Sequence, residues 1–245
     1  MLTSAPHADR AALPAYRAPS AAPTVNRLDI CFAGAPCRQL KSNTPLFADG
    51  DRKAHAYRIE SGMVLVYKIL NDGERQIVTL AFPGDFIGLE AEDAHCYEAQ
   101  TLSSTRIRSV PTSTLWRRAS EDPALGRELY GVLSREVAEA RTHMLMIGRL
   151  AATGRVAAFL QSLVQRNARR GLDTADILLP VRRSDMADFL CLSVETVSRS
   201  LTELKAAGAI RLRGWRQVRI VDAATLEALA EGEHGGDGNG FVRAA

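Results

Sequence analysis

The chain has 245 residues, 46% of them hydrophobic, and a formal net charge of only +3, which leaves room for two compact domains with ample core. No stretch approaches the ~18 consecutive apolar residues of a membrane span, and four scattered cysteines fit a reducing cytoplasm better than a disulfide framework. The charge is uneven: residues 151–222 carry 12 Lys and Arg against 7 Asp and Glu, while residues 1–150 carry 18 against 17 and residues 223–245 carry 1 against 4, so the positive excess sits in the C-terminal third, as steering toward phosphate requires.

Residues 1–27 are rich in Ala and Pro and nearly lack acid, a composition that an organellar transit peptide shares; Pro6, Pro14, Pro19 and Pro23 favour a disordered tail. From about residue 40 to 110 the pattern is short strands with glycine-containing turns. Residues 62–69 and 75–82 read as two strands around Asn71-Asp72-Gly73, Pro83-Gly84-Asp85 supplies another turn, and residues 97–110 supply further strands. That spacing suggests a small β-barrel or jelly roll over residues 28–122. From Pro123 onward, Tyr130, Leu133, Val137, Ala140, Met144, Ile147 and Ala151 recur at alternating steps of three and four. Such a stripe predicts a long helix over 123–151 that either packs within the chain or forms a dimer seam. It breaks near Ala152-Thr153-Gly154, a plausible hinge before a helix over 155–165.

Residues 184–204, SDMADFLCLSVETVSRSLTEL, scan as two short helices joined by a tight turn. Met186, Phe189 and Leu190 recur at helical spacing in the first; Val197, Leu201 and Leu204 form the buried stripe of the second. Glu195, Ser198 and Arg199 are left together on another face. An arginine can fork onto guanine O6 and N7, and a carboxylate can accept from cytosine N4, so a short helix presenting these groups at its N-terminal end suits major-groove reading. Residues 209–213 and 216–221 then read as two strands around Gly214-Trp215, with Arg211, Arg213, Arg216 and Arg219 placed to meet phosphate. The competing reading is a helical hairpin with a solvated charged face. Residues 223–245, which include GEHGGDGNG, read as a flexible end.

The run Glu195-Thr196-Val197-Ser198-Arg199, preceded by residues 185–192 and followed by Ala207-Gly208 and the paired strands, resembles the CRP/FNR transcription regulators, and within them the FixK branch. The resemblance covers about residues 40–222. It implies an α+β chain: an N-terminal β-roll, a dimerisation helix (123–151) and a C-terminal winged helix-turn-helix (152–222), with no enzymatic activity. It further implies a homodimer that binds double-stranded DNA at a TTGA…TCAA inverted repeat, with Glu195, Ser198 and Arg199 on bases. Arg182, Arg183, Ser184, Thr196, Arg213 and Arg216 are expected on the sugar-phosphate backbone. Family membership also implies activation through RNA polymerase in low-oxygen or nitrogen-fixation gene control. One departure falls inside the motif: the turn position usually filled by glycine is Cys191, where oxidation would weaken DNA binding if the thiol is accessible, and where the plainer reading is a structural cysteine.

Relatives that bind cyclic nucleotide resemble one another in a Gly-Glu turn followed by an Arg-Ser pair. Here Gly88 is followed by Leu89-Glu90-Ala91-Glu92-Asp93-Ala94-His95-Cys96, with three acids and no arginine, which would repel a phosphate. Relatives with an oxygen-labile iron–sulfur cluster use N-terminal cysteines and one in the roll. Cys31 and Cys37 echo half of that set, but the earlier ligand falls on Leu28 and the roll ligand on Arg108, and a cubane needs four thiolates. His55, His95 and His143 are isolated and show no haem signature. The expectation is therefore a regulator without cofactor or metal, the alternative being a ligand-gated or iron–sulfur redox sensor of the same fold.

Overall fold

The structure is a computed structural model that describes residues 27–90 and 92–232; the expected tails over 1–26 and 233–245 lie outside the described residues. Two antiparallel sheets are built from β1 (Cys37–Leu40), β2 (Pro45–Phe47), β3 (His55–Ser61), β4 (Val64–Ile69), β5 (Arg75–Ala81), β6 (Phe86–Ile87), β7 (Glu98–Thr101) and β8 (Thr105–Pro111). Their strand orders are β1-β8-β3-β6 and β2-β7-β4-β5. Ile59 and Ile87 from the first sheet pack with Phe47, Val64, Val66 and Ala99 from the second, so the sheets face one another across a shared core. Each sheet keeps free edges, which makes this a roll of two sheets and corrects the closed-barrel half of the expectation. Gly62 (φ +84°) closes one corner: a Cβ there would lie 2.5 Å from the Ser104 carbonyl oxygen, so no larger residue fits.

Helix α1 (Arg27–Ala33) precedes the roll, and α2 (Thr112–Glu121) and α3 (Pro123–Arg149) follow it. Leu28 and Phe32 of α1 are fully buried against Val110, Leu115, Leu125 and Leu129, so residues 27–33 belong to the folded domain. The carboxylate of Asp122 caps α3 by accepting from the Ala124 N–H at 3.0 Å, with Pro123 in the first turn. Only Leu125 and Leu129 of α3 are buried. The helix ends where Leu150 turns extended (φ −90°, ψ 141°), so the break precedes the expected hinge and residues 152–154 already form the first turn of the next helix.

The C-terminal domain comprises α4 (Ala152–Arg169), β9 (Asp176–Leu178), α5 (Arg183–Leu190), α6 (Val194–Ala206), β10 (Ile210–Arg213), β11 (Gln217–Ile220) and α7 (Ala223–Glu231). Its sheet has the order β10-β11-β9, one strand more than the expected two-stranded wing. The segment expected to be flexible from residue 223 begins instead with α7, which Asp222 caps and whose Leu226 and Ala230 are buried. This helix packs on α4. The core of this domain runs on without a gap into the roll: Met63, Leu65, Ile77 and Leu80 join the same cluster as Met186, Leu190, Val197 and Leu201.

Candidate nucleic-acid interface

Helices α5 and α6 are joined through Cys191 and Leu192, whose backbone N–H groups both reach the Ala187 carbonyl. Cys191 is left-handed (φ 52°, ψ 53°), the conformation that favours glycine. Ser193 then caps α6, its Oγ accepting from the Thr196 N–H at 3.1 Å. Val197, Ser200, Leu201 and Leu204 are buried, while Glu195, Ser198 and Arg199 are exposed. The three expected base readers therefore share one open face. Arg199 Nη2 lies 3.5 Å from Thr196 Oγ1, which leaves most of its guanidinium unspent. The Glu195 carboxyl is held below the usual carboxylate range by its own backbone N–H and the Ser193 hydroxyl, so it is an acceptor throughout the neutral range.

The expected phosphate contacts fall into two groups. Arg182, Ser184 and Arg213 are exposed, Thr196 and Arg183 partly so. Arg216 is turned inward: its Nε donates to the Leu179 carbonyl at 3.2 Å and its guanidinium stacks 5.0 Å from the Trp215 ring. Asp176 on β9, absent from the sequence reading, stands 3.6 Å from Arg219 and 4.0 Å from Arg213 and tempers the wing's charge. Trp215, at the wing tip, is 65% exposed; an indole at a turn carried no sequence signal of its own.

Along α3, Tyr130, Val137 and Met144 are 75%, 48% and 71% exposed. Ala140 is exposed too, and Leu133 and Ile147 are partly buried. The expected seam is thus an apolar stripe open on one chain.

The roll does not suit a cyclic nucleotide. Lys53, whose side chain is 3% exposed, points its ammonium at Glu90 (3.2 Å) and Glu92 (3.6 Å), so the cation near Gly88 is already neutralised and its partners would repel phosphate. An iron–sulfur cluster fits no better. Arg108 lies opposite Cys37 in the β1–β8 register, and its Nη1 donates to the carbonyls of Ala33 (3.0 Å) and Ala35 (2.5 Å). The position to which the resemblance assigns the roll's thiolate therefore holds a guanidinium committed to backbone carbonyls.

Residues 154–229 match the Crp-like helix-turn-helix domain and residues 37–122 the cyclic nucleotide-binding domain. Over 188 residues the chain is 36% identical to the nitrogen fixation regulation protein FixK of Azorhizobium caulinodans, covering 76% of each protein. Over 206 residues it is 33% identical to the transcriptional activator protein FnrA of Stutzerimonas stutzeri, covering 83% of each. Among solved structures, FixK2 from Bradyrhizobium japonicum superposes with a TM-score of 0.75 at 32% identity, covering 80% of this chain and 96% of that one. With such relatives over most of its length and both domain types in order, the chain belongs to the CRP/FNR family of DNA-binding transcription regulators and not to a family of enzymes.

Proposed function

We propose that this protein is a homodimeric transcription activator of the FixK type that binds a TTGA…TCAA inverted repeat without a small ligand. The observation that carries the reading is the exposed face of α6, where Glu195, Ser198 and Arg199 stand together behind the Ser193 cap. Arg199 offers a fork to guanine and Glu195 an acceptor to cytosine N4. Arg182, Arg183, Ser184, Thr196 and Arg213 hold phosphate and set register, and Arg216 stiffens the wing beneath them. An inverted repeat calls for a two-fold partner, which the open stripe of α3 supplies. Ligand independence is supported by the Lys53–Glu90–Glu92 cluster, in which the buried ammonium is already paired with carboxylates.

Relatives named for nitrogen fixation regulation and for transcriptional activation support control of low-oxygen or nitrogen-fixation genes through RNA polymerase. The test is a titration of protein purified in air, with no ligand added, against a TTGA…TCAA duplex and a scrambled one. Tight, selective binding supports the reading. Absence of selectivity defeats its ligand-independent form and returns attention to the roll.

A further inference from the structure

Strand β5 opens with Arg75 and Gln76, and both side chains leave the roll to grip the helix-turn-helix. Arg75 holds Asp188 with two nitrogens, Nε at 2.8 Å and Nη2 at 2.6 Å, and Nη2 also lies 2.6 Å from Asp185 Oδ1. Gln76 Nε2 donates to the Asp188 carbonyl at 2.6 Å, and the Cys191 thiol lies 3.3 Å from Gln76 Oε1. Two adjacent residues of the roll thus hold the first helix of the motif and the turn that leads into the second. Between 110 and 115 residues of sequence separate the partners.

The clasp is well supported on both sides. The Tyr67 ring lies 5.7 Å from the Arg75 guanidinium, which restricts where that guanidinium can point. The Asp185 side chain is 6% exposed; its second oxygen accepts from the Arg182 N–H at 3.2 Å. One carboxylate therefore caps α5 and receives the roll. Helix α3 braces α5 from another direction, with His143 and Phe189 rings 4.3 Å apart.

Cys191 adds an independent clue. A non-glycine residue in the left-handed region is strained, and a glycine at this turn would relieve that strain. Glycine, however, has no side chain to reach Gln76. The chain keeps the strained residue at a turn position whose side chain touches the roll.

We propose that Arg75 is the positioning residue for DNA reading, acting with Gln76 and Cys191 as a clasp through which the roll sets the presentation of α6. This rests on the DNA-binding function proposed above. Because α5 and α6 share one buried core, holding α5 holds the base-reading face of α6. A dimer on an inverted repeat must place both such faces at once, so a loosened domain pays its ordering cost mainly on the specific site. Phosphate contacts to arbitrary DNA tolerate a shift.

The test compares wild type, Arg75→Ala, Asp188→Ala, the double variant and Cys191→Gly in the full-length protein. Affinities are measured on the TTGA…TCAA and scrambled duplexes, with thermal midpoints and amide exchange of residues 183–206 in the absence of DNA. Arg75→Ala is expected to weaken operator binding about tenfold, the factor equivalent to ~1.4 kcal/mol, with scrambled DNA unaffected and exchange in α5 and α6 accelerated. The double variant is expected to be no worse than Arg75→Ala alone, since Arg75→Ala already removes the contact that Asp188→Ala removes. Cys191→Gly is expected to keep or raise the thermal midpoint while losing operator affinity, a split that a merely structural role would not produce. Equal losses on both duplexes, additive losses in the double variant, tighter operator binding by Arg75→Ala, or an unchanged operator affinity in Cys191→Gly would each overturn the clasp. A wild type without operator preference would defeat the DNA-site reading instead; the clasp would then stand or fall on whether Arg75→Ala accelerates exchange.

Discussion

Arg108 and Cys37 face each other across the β1–β8 ladder, and the arginine donates to the carbonyls of Ala33, the last residue of α1, and of Ala35 just beyond it. Its Nε also lies 3.1 Å from Glu60, which Arg58 holds at 2.6 Å, and Arg58 in turn holds Asp29 of α1 at 2.7 Å. The N-terminal helix is therefore fastened to the roll by guanidinium groups. Arg108→Ala is expected to cost roughly 1–2 kcal/mol, the scale of charged hydrogen bonds discounted for partial exposure. Denaturant unfolding checks the size, and amide exchange confined to residues 27–40 checks the place.

Base reading and phosphate holding separate experimentally. Glu195→Ala is expected to relax preference at one base pair per half-site, by ~1–3 kcal/mol of lost discrimination, with binding to scrambled DNA preserved. Arg213→Ala is expected to weaken all duplexes alike and to flatten the salt dependence by about one unit of slope. Salt titrations on single-base operator variants distinguish the two, and a uniform loss in both proteins contradicts the division of roles.

The dimer seam makes its own demand. Met144 is 71% exposed on one chain, and Met144→Glu would set two carboxylates against each other across a two-fold axis. Sedimentation is expected to show a monomer at micromolar protein. Operator affinity is expected to fall by ~10²-fold or more as half-sites lose their linkage. A Met144→Glu protein that stays dimeric removes the seam from this stripe.

The sequence made the recognition face legible because periodicity alone separates buried Val197, Leu201 and Leu204 from exposed Glu195, Ser198 and Arg199. The long helix was legible for the same reason, since its apolar steps persist for three heptads. Helix α7 was missed because Ala and Leu in residues 223–231 sit beside a glycine-rich end whose composition dominates the reading. Strand β9 was missed because three residues are too few to show alternation. The inward turn of Arg216 and the Arg75–Asp188 contact depend on partners 37 and 113 residues away. No local pattern encodes such distances.

Cys191 bears on redox behaviour as well as on geometry. Its thiol is exposed and lies 3.3 Å from Gln76 Oε1, so a sulfenic or bulkier product would have to displace that contact in a turn already strained. Peroxide is expected to lower operator affinity, and Cys191→Ser, which keeps a small polar group there, is expected to abolish the loss. An equally sensitive serine variant assigns the effect to Cys31, Cys37 or Cys96.

A pH dependence follows from Glu136 on α3. Its carboxyl is pushed up to about 7, first by surrounding protein that displaces water and then by the charges of Glu90 and Asp85 from the roll and Glu139 on its own helix, with Lys53 acting weakly in the opposite sense. In the unfolded chain the same group titrates near 4.5. Between those values the folded state binds more protons than the unfolded one, so stability falls as pH rises through that window and levels off above about 7. The residue is exposed on one chain, and solvent screens the effect, so Glu136→Gln, which removes the ionisation, is expected to raise the thermal midpoint at pH 8 only slightly, by about a degree, with the difference shrinking as pH falls and vanishing below 4.5. Parallel melting curves of the two proteins across that range make the comparison. A gap that is constant with pH would mean that glutamine improves packing and that Glu136 carries its ordinary charge.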